Sequence, residues 1–269
     1  MDAIIINLDR ATERMAFQKA QMEALGLTYR RLRAFDAASA PALRPSTYWD
    51  TWERPLVDVE KACLLSHRAA WEMVAASDTP SLILEDDAVL SKRVPDLLAR
   101  LEKRNGIDLV TLEVRARKKL VSKSRSGLHT GLPIRRLYQD RTGAAAYVLW
   151  PEGARKLLKR TARRAGLADA VICATYELQA FQADPALALQ IDRCRHYGIE
   201  EPIATRSAID AGKNATEANP HRKLVFRFRR ALAQLRMGLR RVAKAPVAVR
   251  REIMLDPRDF DHLRELTRG

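Results

Sequence analysis

Three adjacent carboxylates, Glu85, Asp86 and Asp87, follow directly on the apolar run Leu82, Ile83 and Leu84. Charges this close repel one another and call for a countercharge, most simply a hard divalent cation held by oxygen ligands. Magnesium or manganese there would bridge the carboxylates to a nucleotide diphosphate and neutralise the charge it gains as a leaving group. The competing reading is a solvated acidic turn that caps the next helix. His67 lies one helical repeat after Glu60, so a buried pair of the two is geometrically accessible, although a histidine satisfied within the core is the plainer reading. Asp169 stands before another apolar stretch, either as an isolated acid–base carboxylate or as a helix N-cap, and spacing does not separate those. Ser66 lacks a GxSxG elbow and a positioned base, while His129 and His196 have no metal-ligand spacing and read as surface residues. Neither GxGxxG nor GxxxxGK[ST] occurs, so any nucleotide must be held without the common glycine-rich cradles.

The elements that must position these groups alternate. Residues 3–6 form a continuous aliphatic run, which predicts a strand buried on both faces. Residues 12–25 carry Met15, Lys19, Met22 and Leu25 at helical spacing, with Thr12 as N-cap and Gly26 as the stop, and residues 29–34 read as a second extended piece. A strong helix is expected over 58–76, with Cys63, His67, Ala70, Trp71 and Val74 on one face. Strands follow at 81–84, 107–112, 144–149 and 187–189, with helices at 94–104, 152–164 and 173–183. Residues 115–131 read as a surface loop. Strand–helix alternation of this kind predicts an α/β fold with a mostly parallel central sheet flanked by helices.

Composition bounds the function classes. The chain has 269 residues, 48 Lys and Arg against 33 Asp and Glu, and 47% hydrophobic residues, which excludes wholesale disorder. Its net charge of +15 would suit nucleic acid, but eleven of the basic residues lie within 219–251, where no acid occurs. There Val225, Phe228, Leu232, Leu235, Leu239 and Val242 recur at spacings of three and four, describing a basic amphipathic helix that Pro246 ends. Only Phe226 and Phe228 are available for stacking in that tail and no base-reading module is recognisable, so specific nucleic-acid binding is the secondary reading. The tail has two open readings: attraction to an anionic membrane surface, or packing on the body or a second copy. No apolar run long enough to span a bilayer occurs, and the start of the chain lacks signal-peptide character, so residence in the cytoplasm is expected. Cys63, Cys173 and Cys194 are far apart and lack CxxC pairing, hence reduced; the sequon at Asn214 is read as chance.

Four ordered stretches resemble glycosyltransferase family 25, the group of lipopolysaccharide and lipooligosaccharide β-galactosyltransferases. They are Ile5 to Arg10 with Glu13, Arg14 and the later Ala34, Phe35 and Asp36; then Glu60, Cys63, Ser66 and His67 with Trp71; Leu82 to Leu90; and Gly143 to Leu149 with Gly153, Ala154 and Asp169. The resemblance implies a GT-A-like catalytic domain over residues 1–218 with a basic helical extension over 219–269. It implies an inverting transferase that uses a UDP-sugar and Mn²⁺ or Mg²⁺ in cell-surface glycan synthesis. On that pattern Glu85 and Asp87 hold the metal, Asn7, Arg10, Arg14 and Asp86 border the nucleotide sugar, Asp169 is the base, and Glu60 and His67 shape the site. The partners implied are a glycan or lipid-linked acceptor and the cytoplasmic face of the inner membrane, with a non-catalytic relative as the remaining alternative.

Overall fold

The computed structural model describes residues 1–126, 133–140, 143–204 and 220–266; His129 and the sequon at Asn214 lie outside them. The strands are β1 (Ala3–Asn7), β2 (Tyr29–Arg33), β3 (Ser81–Glu85), β4 (Ala88–Leu90), β5 (Leu109–Thr111), β6 (Lys118–Ser122), β7 (Ile134–Gln139), β8 (Ala146–Leu149), β9 (Ala180–Ala183), β10 (Ala188–Gln190) and β11 (Ala248–Glu252). The helices are α1 (Thr12–Ala24), α2 (Ser46–Trp49), α3 (Asp58–Ala75), α4 (Val94–Leu101), α5 (Pro151–Thr161), α6 (Ala168–Ala174), α7 (Pro220–Lys244) and α8 (Leu263–Leu266).

Nine strands form one sheet in the order β11-β6-β7-β9-β5-β8-β3-β1-β2, and β4 pairs with β10 beside it. Followed through the pairings, β7, β8 and β11 oppose the other six, so most strands share a direction although antiparallel neighbours outnumber parallel ones. The alternation of side chains along aliphatic strands explains the layers. Ile4, Ile6 and Ile83 pack with Leu64, Trp71 and Leu157 from α3 and α5 on one face. Ala3, Ile5, Leu82 and Leu84 pack with Met22, Leu97 and Leu101 from α1 and α4 on the other. The α5 helix lies so close to the start of β5 that a Cβ on Gly153 would come within 2.3 Å of the Asp108 carbonyl oxygen. The carboxyl ends of β1, β3 and β5 therefore meet the start of β8 along one edge, where α/β sheets bind ligands.

Several expectations are corrected. Residues 180–183, expected to continue a helix, form β9 between β5 and β7, because their alternating side chains fill the sheet. Residues 118–122, expected as loop, form β6; its Lys119 is buried against Asp140 at 2.7 Å, a partner that sequence spacing does not reveal. Ala11, not Thr12, occupies the N-cap of α1 and makes no side-chain cap, and the face α1 buries is Phe17, Gln18, Gln21 and Met22, with Lys19 exposed. The stretch after α7, grouped with it on charge, returns to the body: β11 pairs with β6, and Ile253, Leu255, Phe260 and Leu263 share a core with Phe17 and Val121.

Candidate functional site

The carboxylate triplet sits where β3 ends and the chain turns into β4. The turn is pinned from α1 by two buried glutamines: Gln18 Nε2 donates to the backbone oxygens of Asp86 (3.1 Å) and Ala88 (2.7 Å), and Gln21 bridges Ala88 and Leu90. Asp86 turns inward, accepting from Asn7 Nδ2 at 2.8 Å and Arg14 Nη1 at 2.9 Å. Asn7 is 1% exposed and its amide is spent on Asp86, the Ala11 carbonyl and Arg31. Asn7 and Arg14 thus fix the triplet's middle carboxylate. Arg10 turns away to an ion pair with Asp36 at the exposed rim.

Asp87 carries the strongest sign of an absent partner, since its Oδ1 is buried and accepts no hydrogen bond. Burial first, then the charges of Glu85 and Asp86, push its carboxyl up to about 7. An anionic oxygen in that position is costly unless a cation faces it. Glu85 differs: burial alone would raise it, but the hydrogen bond from His67, with Arg115 and Gln190, outweighs burial and holds it below its ordinary range. Glu85 and Asp87 offer oxygen donors of the kind a hard divalent ion takes, while among the described residues the side chains whose ligand atoms converge within 4.8 Å are Cys63, His67 and Glu85.

His67 does not pair with Glu60, as its position one repeat later suggested. Its Nε2 lies 3.0 Å from Glu85 Oε1 and its Nδ1 2.9 Å from the Tyr147 hydroxyl, which also accepts from Trp71 Nε1 at 2.8 Å. An indole N–H can only donate, so the Tyr147 proton is left for His67 Nδ1, and the ring donates from Nε2 to the carboxylate. Every bond of the chain Trp71, Tyr147, His67, Glu85 then points toward Glu85 and fixes its orientation. Tyr147→Phe strands Trp71 Nε1 and His67 Nδ1 together, and an unfolding free energy lower by about 1–3 kcal/mol per stranded group is expected in urea titration. An unchanged midpoint would contradict the relay. Glu60 belongs to a different arrangement: it accepts from Arg54 at 2.8 and 2.6 Å and reaches back to the Val57 N–H at 3.1 Å, capping α3.

Asp169 lies in the first turn of α6, beyond the N-cap Leu167, so it is not the cap itself. It is brought toward the triplet: burial and the charge of Glu85 raise its carboxyl, opposed by the Ala170 N–H, Arg115 and His67. Cys63 joins the same wall, with Sγ, His67 and Glu85 ligand atoms within 4.8 Å of one another. Its thiol is free, and burial with four surrounding carboxylates holds it well above its ordinary value, hence neutral and unreactive.

One site residue escaped the sequence. Glu113, two positions beyond β5, is 1% exposed; its Oε2 accepts from the Ala145 N–H at 3.0 Å while its Oε1 has no hydrogen-bond partner. A Cβ at Gly143, where φ is +122°, would lie 3.1 Å from that carboxylate, so glycine permits the approach. The available signal was the one that marks Glu85, an acid directly after an apolar strand. Burial and then the charge of Glu85 push Glu113 up to about 8. A carboxyl raised in the folded state keeps its proton where the unfolded chain has lost it, so stability falls as pH rises from about 4.5 to about 8. Glu113→Gln is expected to flatten most of that slope in thermal melts run in chelator from about pH 5 to about pH 9. The residual slope belongs to the other raised carboxyls, Asp87, whose share ends near 7, and Asp169.

Comparison with known proteins places these features in context. The family model described as Glycosyltransferase family 25 (LPS biosynthesis protein) matches residues 1–172, a span that includes the triplet, His67, Glu113 and Asp169. The lacto-N-neotetraose biosynthesis glycosyltransferase LgtE of Neisseria gonorrhoeae is 26% identical over 257 residues, covering 86% of this chain and 88% of its own. Among solved structures, a Drosophila β1,4-galactosyltransferase 7 variant in complex with manganese, UDP-Gal and xylobiose is similar at a TM-score of 0.35 and 10% identity, over 81% of each chain.

Proposed function

Because the chain belongs to glycosyltransferase family 25, we propose that it transfers a hexose, galactose on the resemblance of its motifs, from a UDP-sugar to a growing cell-surface glycan of the lipopolysaccharide type. The observation that carries this reading is the half-buried carboxylate cluster, with its orphaned Asp87 oxygen, at the ligand-binding edge of the sheet and inside the matched span. The catalytic machinery lies within residues 1–218 on this reading. The acceptor of such a pathway is glycan or lipid-linked oligosaccharide, and on this reading residues 219–251 would meet the cytoplasmic face of the inner membrane.

Glu85 and Asp87 would hold Mn²⁺ or Mg²⁺, which when bound supplies positive charge to the diphosphate oxygens. Around that position this chain's own residues divide the work. Asn7 and Arg14 lock Asp86 and so fix the floor beneath the nucleotide, while Arg10 offers a cation at the rim. His67 aims Glu85. The Asp169 carboxylate, raised toward neutrality, takes the proton of the acceptor hydroxyl as that oxygen bonds to the anomeric carbon. The bond from the anomeric carbon to the diphosphate oxygen breaks on the opposite face, its electron pair leaves with UDP, and the configuration inverts.

UDP release from a panel of UDP-hexoses, with and without Mn²⁺, tests the reading, and the anomeric configuration of the product by NMR tests inversion. A retained configuration would remove Asp169 from its role. Release unaffected by EDTA would remove the metal from Glu85 and Asp87.

A further inference from the structure

The tail helix is inverted with respect to an ordinary surface helix. With 3.6 residues per turn, Phe226, Arg229, Met237, Arg240 and Lys244 share one side of α7, and this side faces the body. Phe226 is buried, Arg229 donates to the backbone oxygens of Asp50 and Trp52, and Arg240 donates to the Tyr138 backbone oxygen at 2.6 Å while its guanidinium lies 4.2 Å from the centre of the Tyr176 ring. Lys244 sits over Tyr138. The diametrically opposite side carries Leu224, Phe228, Leu235, Leu239 and Val242, which are 58–75% exposed. Cations anchor the helix, and its apolar stripe is presented outward with Arg227, Arg230, Arg236 and Arg241 exposed along its flanks. Val247, Val249 and Met254 extend the exposed apolar surface past the end of the helix.

We propose that α7 lies in the plane of an anionic lipid bilayer, its outward stripe entering the boundary between headgroups and acyl chains and its flanking arginines meeting lipid phosphates. This deepens the proposed function by making the acceptor a membrane-anchored one, and it rests on that reading for the acceptor alone. Charge complementarity selects the occupant. A second copy of this chain offers a body that is itself net positive, a poor electrostatic match for the exposed arginines of α7. A nucleic acid supplies phosphates but nothing apolar to cover a leucine and phenylalanine stripe. An anionic membrane supplies both, and an amphipathic helix with a basic polar face is the form that binds it. No helix among the described residues is long and apolar enough to cross a membrane, so the contact is interfacial.

The body side of α7 meets segments that neighbour the site. The Asp50 and Trp52 carbonyls that receive Arg229 belong to the segment whose Arg54 pairs with Glu60, and Arg54 and Asp169 interact electrostatically. Arg240 lines a cleft with Tyr176, Cys173, Thr111 and Gly143, so the cleft runs from beneath α7 to the glycine against Glu113. Thr111 Oγ1, buried in that wall, has no hydrogen-bond partner.

Co-sedimentation of the full chain with vesicles of phosphatidylcholine alone, or mixed with phosphatidylglycerol, tests this. Binding is expected to the mixed vesicles only, weakening with salt, and Leu235→Glu with Leu239→Glu is expected to weaken it at least tenfold at an unchanged melting temperature. Equal sedimentation of variant and parent, or none by the parent, would overturn the assignment. A dimer in sedimentation velocity that the same double substitution dissolves would give the stripe to a second copy and also overturn it. UDP release measured without vesicles reports on the proposed function separately: vesicle binding without turnover would defeat that reading and leave this one standing.

Discussion

Asp87→Asn is expected to lower kcat for sugar transfer by about a hundred- to a thousandfold, the scale of losing one preorganised electrostatic partner of a developing charge. The substitution preserves shape and removes a carboxylate with a buried oxygen that accepts no hydrogen bond from the protein. It should not unfold the protein. In metal-free buffer Asp87 is held up to about 7 by burial and by Glu85 and Asp86, so a neutral amide relieves repulsion and the melting temperature at about pH 8 should stay level or rise. Loss of turnover together with a retained fold is the signature of a ligand site. Full activity in the variant would return the triplet to the solvated turn that its sequence equally allowed.

Asp169→Asn is the second large effect. Removing a positioned general base costs about a hundred- to ten-thousandfold in rate, and the loss should fall on kcat while UDP binding is unchanged. The sign of the pH dependence follows from the direction of the shift. Burial and the Glu85 charge raise the Asp169 carboxyl, so the base form is lost at higher pH than for an ordinary aspartate. Activity of the parent should rise with pH through that raised value, and the variant's residual rate should lack this limb. A stopped-flow or discontinuous UDP assay across pH decides it. A variant that keeps the limb would shift attention to Glu113, the other raised carboxyl on the same edge.

The strands that build the site were legible because each is a continuous aliphatic run, and a strand buried on both faces leaves no other pattern. Glu85, Asp86 and Asp87 were legible for the same reason, as a sudden charge after such a run. What escaped was whatever depended on a partner distant in the chain. His67 reads naturally with Glu60, seven positions earlier on one helix face, yet its partners are Glu85 and Tyr147, set by how α3 crosses β3 and β8. Gln18 and Gln21 look like surface residues of an amphipathic helix and instead satisfy the backbone of the triplet's turn. Lys119 made 118–122 look like loop until Asp140 and Gln182 are placed around it. The amphipathicity of α7 was plain in sequence; the side it presents outward depends on Tyr138 and Tyr176, which lie on other elements.

On the proposed function, the edge formed by Asn7, Glu85, Asp86 and Asp87 binds a nucleotide diphosphate together with a divalent cation. Titration of UDP into the purified chain by calorimetry, with Mn²⁺ and then with EDTA, tests it most directly. The account predicts UDP binding that requires Mn²⁺ and is lost in Asp87→Asn. UDP binding of equal strength in EDTA, or in the variant, would contradict it.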